Sequence, residues 1–311
     1  MSKIIVTGAT SFIGAPLVKK LVENGHIVYA VIRPKSKNIS VIIKNDRVKI
    51  IECDMNDYDM LPNLIDSSCD AFYHIAWNGT RVPERDDYDI QNKNYINSIK
   101  AFNSSLKLGC SQFYSVGSQA EYGTCIGKID EDYPTHPKTE YGKAKLRTCT
   151  ELSKMALTNN IKFGWIRLFS AYGMNDYSNS LISFCLKKMI NNEDVELTAG
   201  IQNWNYVFID DVINILYQLF VCQTFKNQVF NVCSNDNRIL KEYVIEIKDI
   251  LKSSSKLLFG VKKYNDSEGI VSFIPSNRKV KEFLHYDEYV SFSDGIYKII
   301  KSMVISRWMI L

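Results

Sequence analysis

Apolar and polar positions along the first 175 or so residues switch repeatedly between two periods. KIIV, positions 3–6, is a short apolar run rich in β-branched residues. TGATSFIG (Thr7–Gly14) follows, then APLVKKLVEN, whose apolar residues recur at helical spacing and stop at Gly25. HIVYAVIR and VKIIEC predict strands two and three, LPNLIDSSC a short helix, and DAFYHIAW strand four. NKNYINSIKAFNSSLKLG predicts a helix over roughly 92–108, ended by a glycine. SQFYSVGS predicts strand five, KTEYGKAKLRTCTELSKMALTNN a long helix, and IKFGWIRLF strand six. This alternation implies an α/β fold: a doubly wound parallel sheet with helices on both faces. Ligands in such folds bind beyond the carboxyl ends of the strands.

Beyond about residue 175 the pattern is less regular. SLISFCLKKMINNE has helical spacing and VELTAG is a short strand. NWNYVFIDDVINILYQLF and the strand-like QVFNVCS follow, then a helix-rich tail. These segments predict a smaller lobe over the sheet edge that contributes substrate contacts. The apolar run IYKIIKSMVISRWMIL is interrupted by Lys298, Lys301 and Arg307, so it predicts an amphipathic terminal helix packed on the body. No run reaches the length of a membrane span, and no signal peptide precedes the first strand.

Composition narrows the classes. With 46% hydrophobic and 23% charged residues the chain is ordinary for a soluble globular protein. A net charge of +4, with lysines and arginines scattered, is too small to argue for nucleic acid. The eight cysteines stand singly with no C-x-x-C pair, which argues against a metal site and a disulfide scaffold. A reducing cytoplasm is the simplest compartment.

TGATSFIG sits where a strand meets a helix amino terminus, a place where backbone N–H groups and the helix dipole favour anions. Gly8, Thr10, Ser11, Phe12, Ile13 and Gly14 are therefore candidate dinucleotide contacts. Ser11 stands at the middle glycine of the usual pattern; its hydroxyl can itself donate to a phosphate. Taken alone, the stretch fits a plain strand-to-helix turn equally well. After strand two the sequence is AVIRPKSK. Ile32 occupies the place of the acid that holds NAD ribose, and Arg33, Lys35, Ser36 and Lys37 follow. That cluster suits a 2′-phosphate, hence NADP(H) rather than NAD(H); the alternative is a solvated basic loop. Asp54 and Met55, ending strand three, fall near the expected adenine, though Asp54 also fits an ordinary loop position.

Tyr141 and Lys145 lie one helical turn apart on one face. A nearby ammonium lowers a tyrosine's pKa and makes it a usable acid or base. With 18 tyrosines, one such spacing arises by chance. SVGSQAEYG, at the end of strand five, adds a serine able to bond a substrate carbonyl or alkoxide. The three motifs come in the required order, each at its expected strand end or helix.

With these residues the chain resembles the extended short-chain dehydrogenase/reductases, the NAD-dependent epimerase/dehydratase family of nucleotide-sugar enzymes. TGATSFIG looks like that family's TGxxGFxG loop. FYHIAW, Asn94, SVGSQAEYG, YGKAK, IRLFSAYG and NWNYVFIDDV resemble its later motifs, so the likeness covers nearly the whole chain. The resemblance implies a Rossmann-type dinucleotide-binding domain at 1–174, with parts of 205–235 returning to it, and a mainly substrate-binding lobe at 175–311. It implies Ser118 as catalytic serine, Tyr141 as general acid/base and Lys145 as its helper. It also implies nicotinamide and ribose contacts at Ala76, Lys145 and the backbone around Phe169 and Ser170. The substrate would be a nucleotide-diphosphate sugar, and the assembly a homodimer formed through the helices near 92–108 and 139–159.

Departures from the family pattern narrow the chemistry. The 4,6-dehydratases carry Thr-Asp-Glu where this chain has Ser118, Gln119 and Ala120, so dehydration is not expected; Glu121 falls one place too late. SQAEYG is similar to the segment of 4-ketoreductases of the CDP-abequose synthase type, which make deoxysugars for surface polysaccharides such as O-antigen. The expected reaction is therefore NADPH-dependent reduction of the C4 ketone of a nucleotide-linked 4-keto-6-deoxyhexose, with a sugar 4-epimerase as the alternative. The family's diphosphate-binding arginine falls on Trp204, which either stacks on a sugar or base or packs under the lobe. Arg238 or Arg278 is a candidate to replace it, and Arg81 and Asn179 are further substrate-side candidates.

Overall fold

In the computed structural model, described over residues 1–263 and 271–308, the chain builds one large sheet and three small ones. The elements in chain order are β1 (Lys3–Thr7), α1 (Gly14–Glu23), β2 (Ile27–Ile32), β3 (Val48–Glu52), the single turn α2 (Leu61–Leu64) and β4 (Ala71–His74). Then come α3 (Tyr88–Lys107), β5 (Gln112–Ser118), β6 (Ile126–Ile129), α4 (Glu140–Thr158), β7 (Lys162–Leu168) and β8 (Ser170–Tyr172). The second part has α5 (Leu181–Ile190), β9 (Val195–Leu197), β10 (Asn203–Phe208), α6 (Ile209–Val221), β11 (Asn227–Val232) and β12 (Asn237–Ile239). It ends with α7 (Leu240–Leu251), β13 (Leu257–Phe259), β14 (Ser272–Pro275), α8 (Arg278–Leu284) and α9 (Phe292–Trp308).

The large sheet is parallel, in the order β11-β7-β5-β4-β1-β2-β3. Its inner strands β1, β2 and β4 are mostly apolar because both faces are covered, as buried parallel strands require, whereas the edge strand β3 is largely exposed. Alternate residues enter different cores. Ile4 and Val6 join Leu17 and Leu21 of α1 and Ile215 and Leu219 of α6 on one face. Ile5 joins Phe72, Phe102 of α3, Phe113, Leu152 of α4 and Trp165 on the other. The strand order reverses between β1 and β4, which opens a crevice at their carboxyl ends.

Several differences from the sequence expectations have physical causes. α3 starts four residues before the expected 92, because the Asp87 side chain accepts from the Ile90 N–H and caps it there. β6 and β14 pair in parallel across about 150 residues of sequence, a contact that no local pattern announces. β11 is the outer strand of the large sheet, so residues from 227 to 232 belong to the same layer as β1. The terminal run does form a helix, with Phe292, Ile296 and Ile299 buried and Tyr297, Met303 and Val304 exposed. Its last three residues lie outside the described residues. Among the described residues no helix is long and apolar enough to cross a membrane.

Candidate active site

The crevice between β1 and β4 is floored by the turn after β1. Gly8 has φ +66°, and Gly14 packs so closely that a Cβ on it would lie 2.1 Å from the Gly8 carbonyl oxygen. Ser11 turns inward on this loop: its hydroxyl oxygen accepts from the Gly14 N–H at 2.9 Å. The hydroxyl hydrogen is then left over as a donor toward the cleft. Thr7 ties the strand ends together, with its Oγ1 accepting from the backbone N–H of Ile75 and Ala76 and lying 3.0 Å from His74 Nδ1. Burial pulls the His74 imidazole down to about 3, so it sits neutral between Thr7 and Ser98.

A cleft of about 420 Å³ lies over this floor. Gly8, Thr10, Ser11, Phe12, Ile13, Arg33, Met55, Ala76 and Arg81 line it, all expected from the sequence. Tyr58, Trp77, Asn78 and Asn38 line it too and were not expected; Trp77 ends the FYHIAW motif, and the other three fall on none. Six expected cofactor residues do not line it: Gly14 packs behind the turn, Tyr141 and Lys145 stand on α4, and Lys37, Asp54 and Phe169 lie elsewhere. Lys37 is exposed in the loop beyond Arg33. The Asp54 carboxylate accepts from the Asn56 N–H at 3.0 Å and from its side-chain amide at 2.8 Å, so it caps a local turn instead of facing the adenine end. Phe169 is buried against Tyr122 and Phe273 in a satellite core.

Tyr141 stands in the first turn of α4, which is capped by Thr139 accepting from the Gly142 N–H at 3.1 Å. Ser118, at the end of β5, favours the phenolate form of Tyr141. Lys145, one turn on, donates to the Val116 carbonyl at 2.6 Å and sits 3.4 Å above the Trp77 ring, a cation–π contact. Both are buried, at 8% and 4% exposure. The sequence suggested that the ammonium would lower the tyrosine's pKa. Instead burial pushes the phenol up, countered by Ser118 and by Arg85, whose guanidinium lies 4.6 Å from the ring centre. The ammonium is itself pulled down to about 7 by burial, because it is held by a carbonyl and a ring and not by a carboxylate.

The loop between β4 and α3 is fixed by Asn94 and Gln91. Asn94 accepts from the Asn78 N–H and donates to its carbonyl, and Gln91 takes the Trp77 indole N–H at 2.9 Å. This loop carries Arg85 to Tyr141, a placement invisible in the sequence because the loop has no regular period.

The substrate-side candidates divide. The Arg81 guanidinium stacks 3.3 Å from the centre of the Tyr177 ring, and Asn179 donates to the Tyr177 hydroxyl at 3.2 Å. Asn179 also borders a second cavity of about 440 Å³ with Leu181, Thr198 and Lys241. Trp204 packs on Phe273, ring centres 4.9 Å apart, and borders a small hollow with Gln119, Ala120 and Arg85. Packing and proximity to Ser118 thus coincide in one residue. Arg238 is paired with Asp236 at 2.9 Å and Glu246 at 2.5 Å. Arg278 is exposed and paired with Glu282 at 3.1 Å. Both arginines are therefore engaged by carboxylates and line none of these three cavities.

Comparison with known proteins places this site. The sequence profile of the NAD dependent epimerase/dehydratase family matches residues 4–233. A CDP-abequose synthase of Salmonella muenchen is 27% identical over 283 residues, covering 86% of each chain. A dTDP-4-dehydro-6-deoxyglucose reductase of Escherichia coli is 24% identical, covering 96% of this chain and 97% of that one. The crystal structure of a UDP-glucose 4-epimerase with UDP-glucose from Thermotoga maritima superposes with a TM-score of 0.87 at 21% identity, covering 98% and 99%.

Proposed function

The chain belongs to the NAD dependent epimerase/dehydratase family, and from that premise we propose that it is an NADPH-dependent nucleotide-sugar 4-ketoreductase. Its substrate would be a nucleotide-linked 4-keto-6-deoxyhexose. The observation that carries this reading is the placement of Tyr141 and Lys145 against Trp77, a residue that lines the cleft floored by Gly8. Bound there, the dinucleotide supplies the hydride that reaches C4. Ser118 orients the carbonyl oxygen, Tyr141 gives its proton to the developing alkoxide, and Lys145 holds a positive charge beside it. A phenol pushed up by burial stays protonated near neutrality, the form a reductase needs.

Further observations favour reduction over the neighbouring chemistries. Gln119 and Ala120 offer no acid–base pair for dehydration, and Glu121 is turned away into a buried ion pair with Arg167. A relative named as a dTDP-4-dehydro-6-deoxyglucose reductase spans 96% of this chain, and a CDP-abequose synthase spans 86%. The 4-epimerase reading has relatives of its own, such as a putative UDP-glucose 4-epimerase of Methanocaldococcus jannaschii at 21% identity over 96% of this chain, below the 24% of the reductase. The substrate diphosphate would lie between the cofactor cleft and the cavity at Asn179, where Arg81 rests on Tyr177. Work in deoxysugar and surface-polysaccharide synthesis would follow, with the homodimer that such enzymes commonly form.

Arg33 is the proposed determinant for the 2′-phosphate, being the cation of its loop that lines the cleft. Arg33→Ala is expected to raise KM for NADPH about 10- to 100-fold, since a charge-assisted hydrogen bond contributes about 1.5–3 kcal/mol. KM for NADH should change little. Steady-state kinetics with both cofactors decides this, and equal effects on the two would remove Arg33 from the role. The function itself is tested by incubating the protein with NADPH and 4-keto-6-deoxy sugars on different nucleotides, then identifying the product by NMR.

A further inference from the structure

Glu121 lies three residues beyond Ser118 and is fully buried, at 0% exposure. Its Oε1 accepts from the Ser118 backbone N–H at 2.9 Å and from the Trp165 indole at 3.0 Å. Its Oε2 accepts from Arg167 Nε at 2.9 Å. The Ser118 hydroxyl accepts in turn from the Ala120 N–H at 3.1 Å, closing a reciprocal cap around one tight turn. Gly117 makes room for this: a Cβ there would stand 2.3 Å from Oε1 and 2.2 Å from the Trp165 nitrogen. The carboxylate therefore folds back beneath the serine and does not reach the place a dehydrating acid would occupy.

Resting on the reductase reading above, we propose that Glu121 is a positioning residue of the reaction: its carboxylate fixes Ser118 at the exit of β5 and, paired with Arg167, balances the charge beneath the Tyr141–Lys145 pair. A buried ion pair costs desolvation and is often matched in stability by apolar packing. Stability alone thus gives little reason for one under the serine.

The titratable and charged groups around the pair come from several elements. Arg85 from the β4–α3 loop covers the Tyr141 ring, and His74 on β4 is neutral. Cys149 on α4 is kept a thiol by burial. Arg167 on β7 has its charge compensated by Glu121, and its Nη1 donates to the Tyr122 hydroxyl and the Glu131 carbonyl. The Glu131 carboxyl accepts from the Asn231 N–H, and burial pushes it up. Among these groups Arg85 favours the phenolate and Glu121 opposes it. At Lys145 burial pulls down and Glu121 pushes back up. Removing the Glu121 charge therefore shifts both groups the same way: the phenol loses a repelling carboxylate, and the ammonium loses an attracting one.

Glu121→Gln keeps the shape and removes the charge. The alkaline limb of kcat against pH, which follows loss of protons from the pair, is expected to move down by about one unit. Glu121→Asp keeps the charge but withdraws it from the Ser118 N–H; it should leave the limb in place and lower kcat across the whole range. Because Glu121→Gln leaves Arg167 buried without its counter-charge, E121Q/R167Q serves as the variant with neither ion, and a smaller downward shift is expected there because the lost cation offsets part of the lost carboxylate. Melting temperature and NADPH affinity report that each variant is folded. A uniform fall in kcat with an unmoved limb in Glu121→Gln overturns the proposal. Absence of any NADPH-dependent reduction by the parent protein overturns the reductase reading instead, and the proposal falls with it.

Discussion

Tyr141→Phe should lower turnover about 10²- to 10⁴-fold while leaving NADPH affinity near that of the parent. The substitution removes one oxygen from a ring that is otherwise well supported. The ring meets Trp77 edge to face at 6.2 Å, lies under Arg85 and is 8% exposed, so a phenylalanine keeps the same packing. The proton that would neutralise the alkoxide is lost. Single-turnover loss of NADPH absorbance gives the rate, and fluorescence titration gives the affinity. Turnover close to the parent's would take Tyr141 out of the chemistry. A fall in affinity of the same size as the fall in rate would make it a binding residue.

Gly14→Ala should act on the other half of the site. The added Cβ would stand 2.1 Å from the Gly8 carbonyl oxygen, and both atoms belong to backbone or to the first carbon on it, so no flexible side chain can yield. The turn must open, and the Ser11 hydroxyl loses its hold on the Gly14 N–H. Forced packing of this kind costs about 1–3 kcal/mol. Taken from cofactor binding, that is a loss of about 10- to 100-fold in NADPH affinity. Titration with NADPH and a thermal melt together measure it, since the same strain should also lower the melting temperature. Parental affinity would mean that the turn does not cradle the pyrophosphate.

Much of this architecture was legible in the sequence because it depends on local periods. Buried parallel strands such as KIIV and the helix holding Tyr141 and Lys145 declare themselves within a dozen residues. The trio Ser118, Tyr141 and Lys145 could be named because each member sits on a recognisable strand end or helix, and the structure brings all three together. Contacts between distant segments were not legible. The partners of Glu121 are 44 and 46 residues away at Trp165 and Arg167, so spacing alone made it a misplaced acid. Arg85 reaches Tyr141 from an irregular loop whose path is set by Asn94 and Gln91. Asp54 caps the turn after β3, the ordinary loop role that the sequence posed beside a ligand role. At Trp204 the sequence posed packing and stacking on a sugar or base as alternatives, and the fold shows the ring packed on Phe273 at the edge of a small hollow.

The account's central claim is net hydride transfer to C4 of a keto sugar, and isotope transfer tests it most directly. The protein is incubated with NADPH deuterated at the transferable position and a nucleotide-linked 4-keto-6-deoxyhexose, and the sugar product is examined by NMR. The expected product is a 6-deoxyhexose with deuterium on C4, formed with one NADP⁺ released per sugar reduced. Interconversion of C4 epimers of a sugar without a ketone, with no label entering and no NADPH consumed, would contradict the reductase and establish the epimerase.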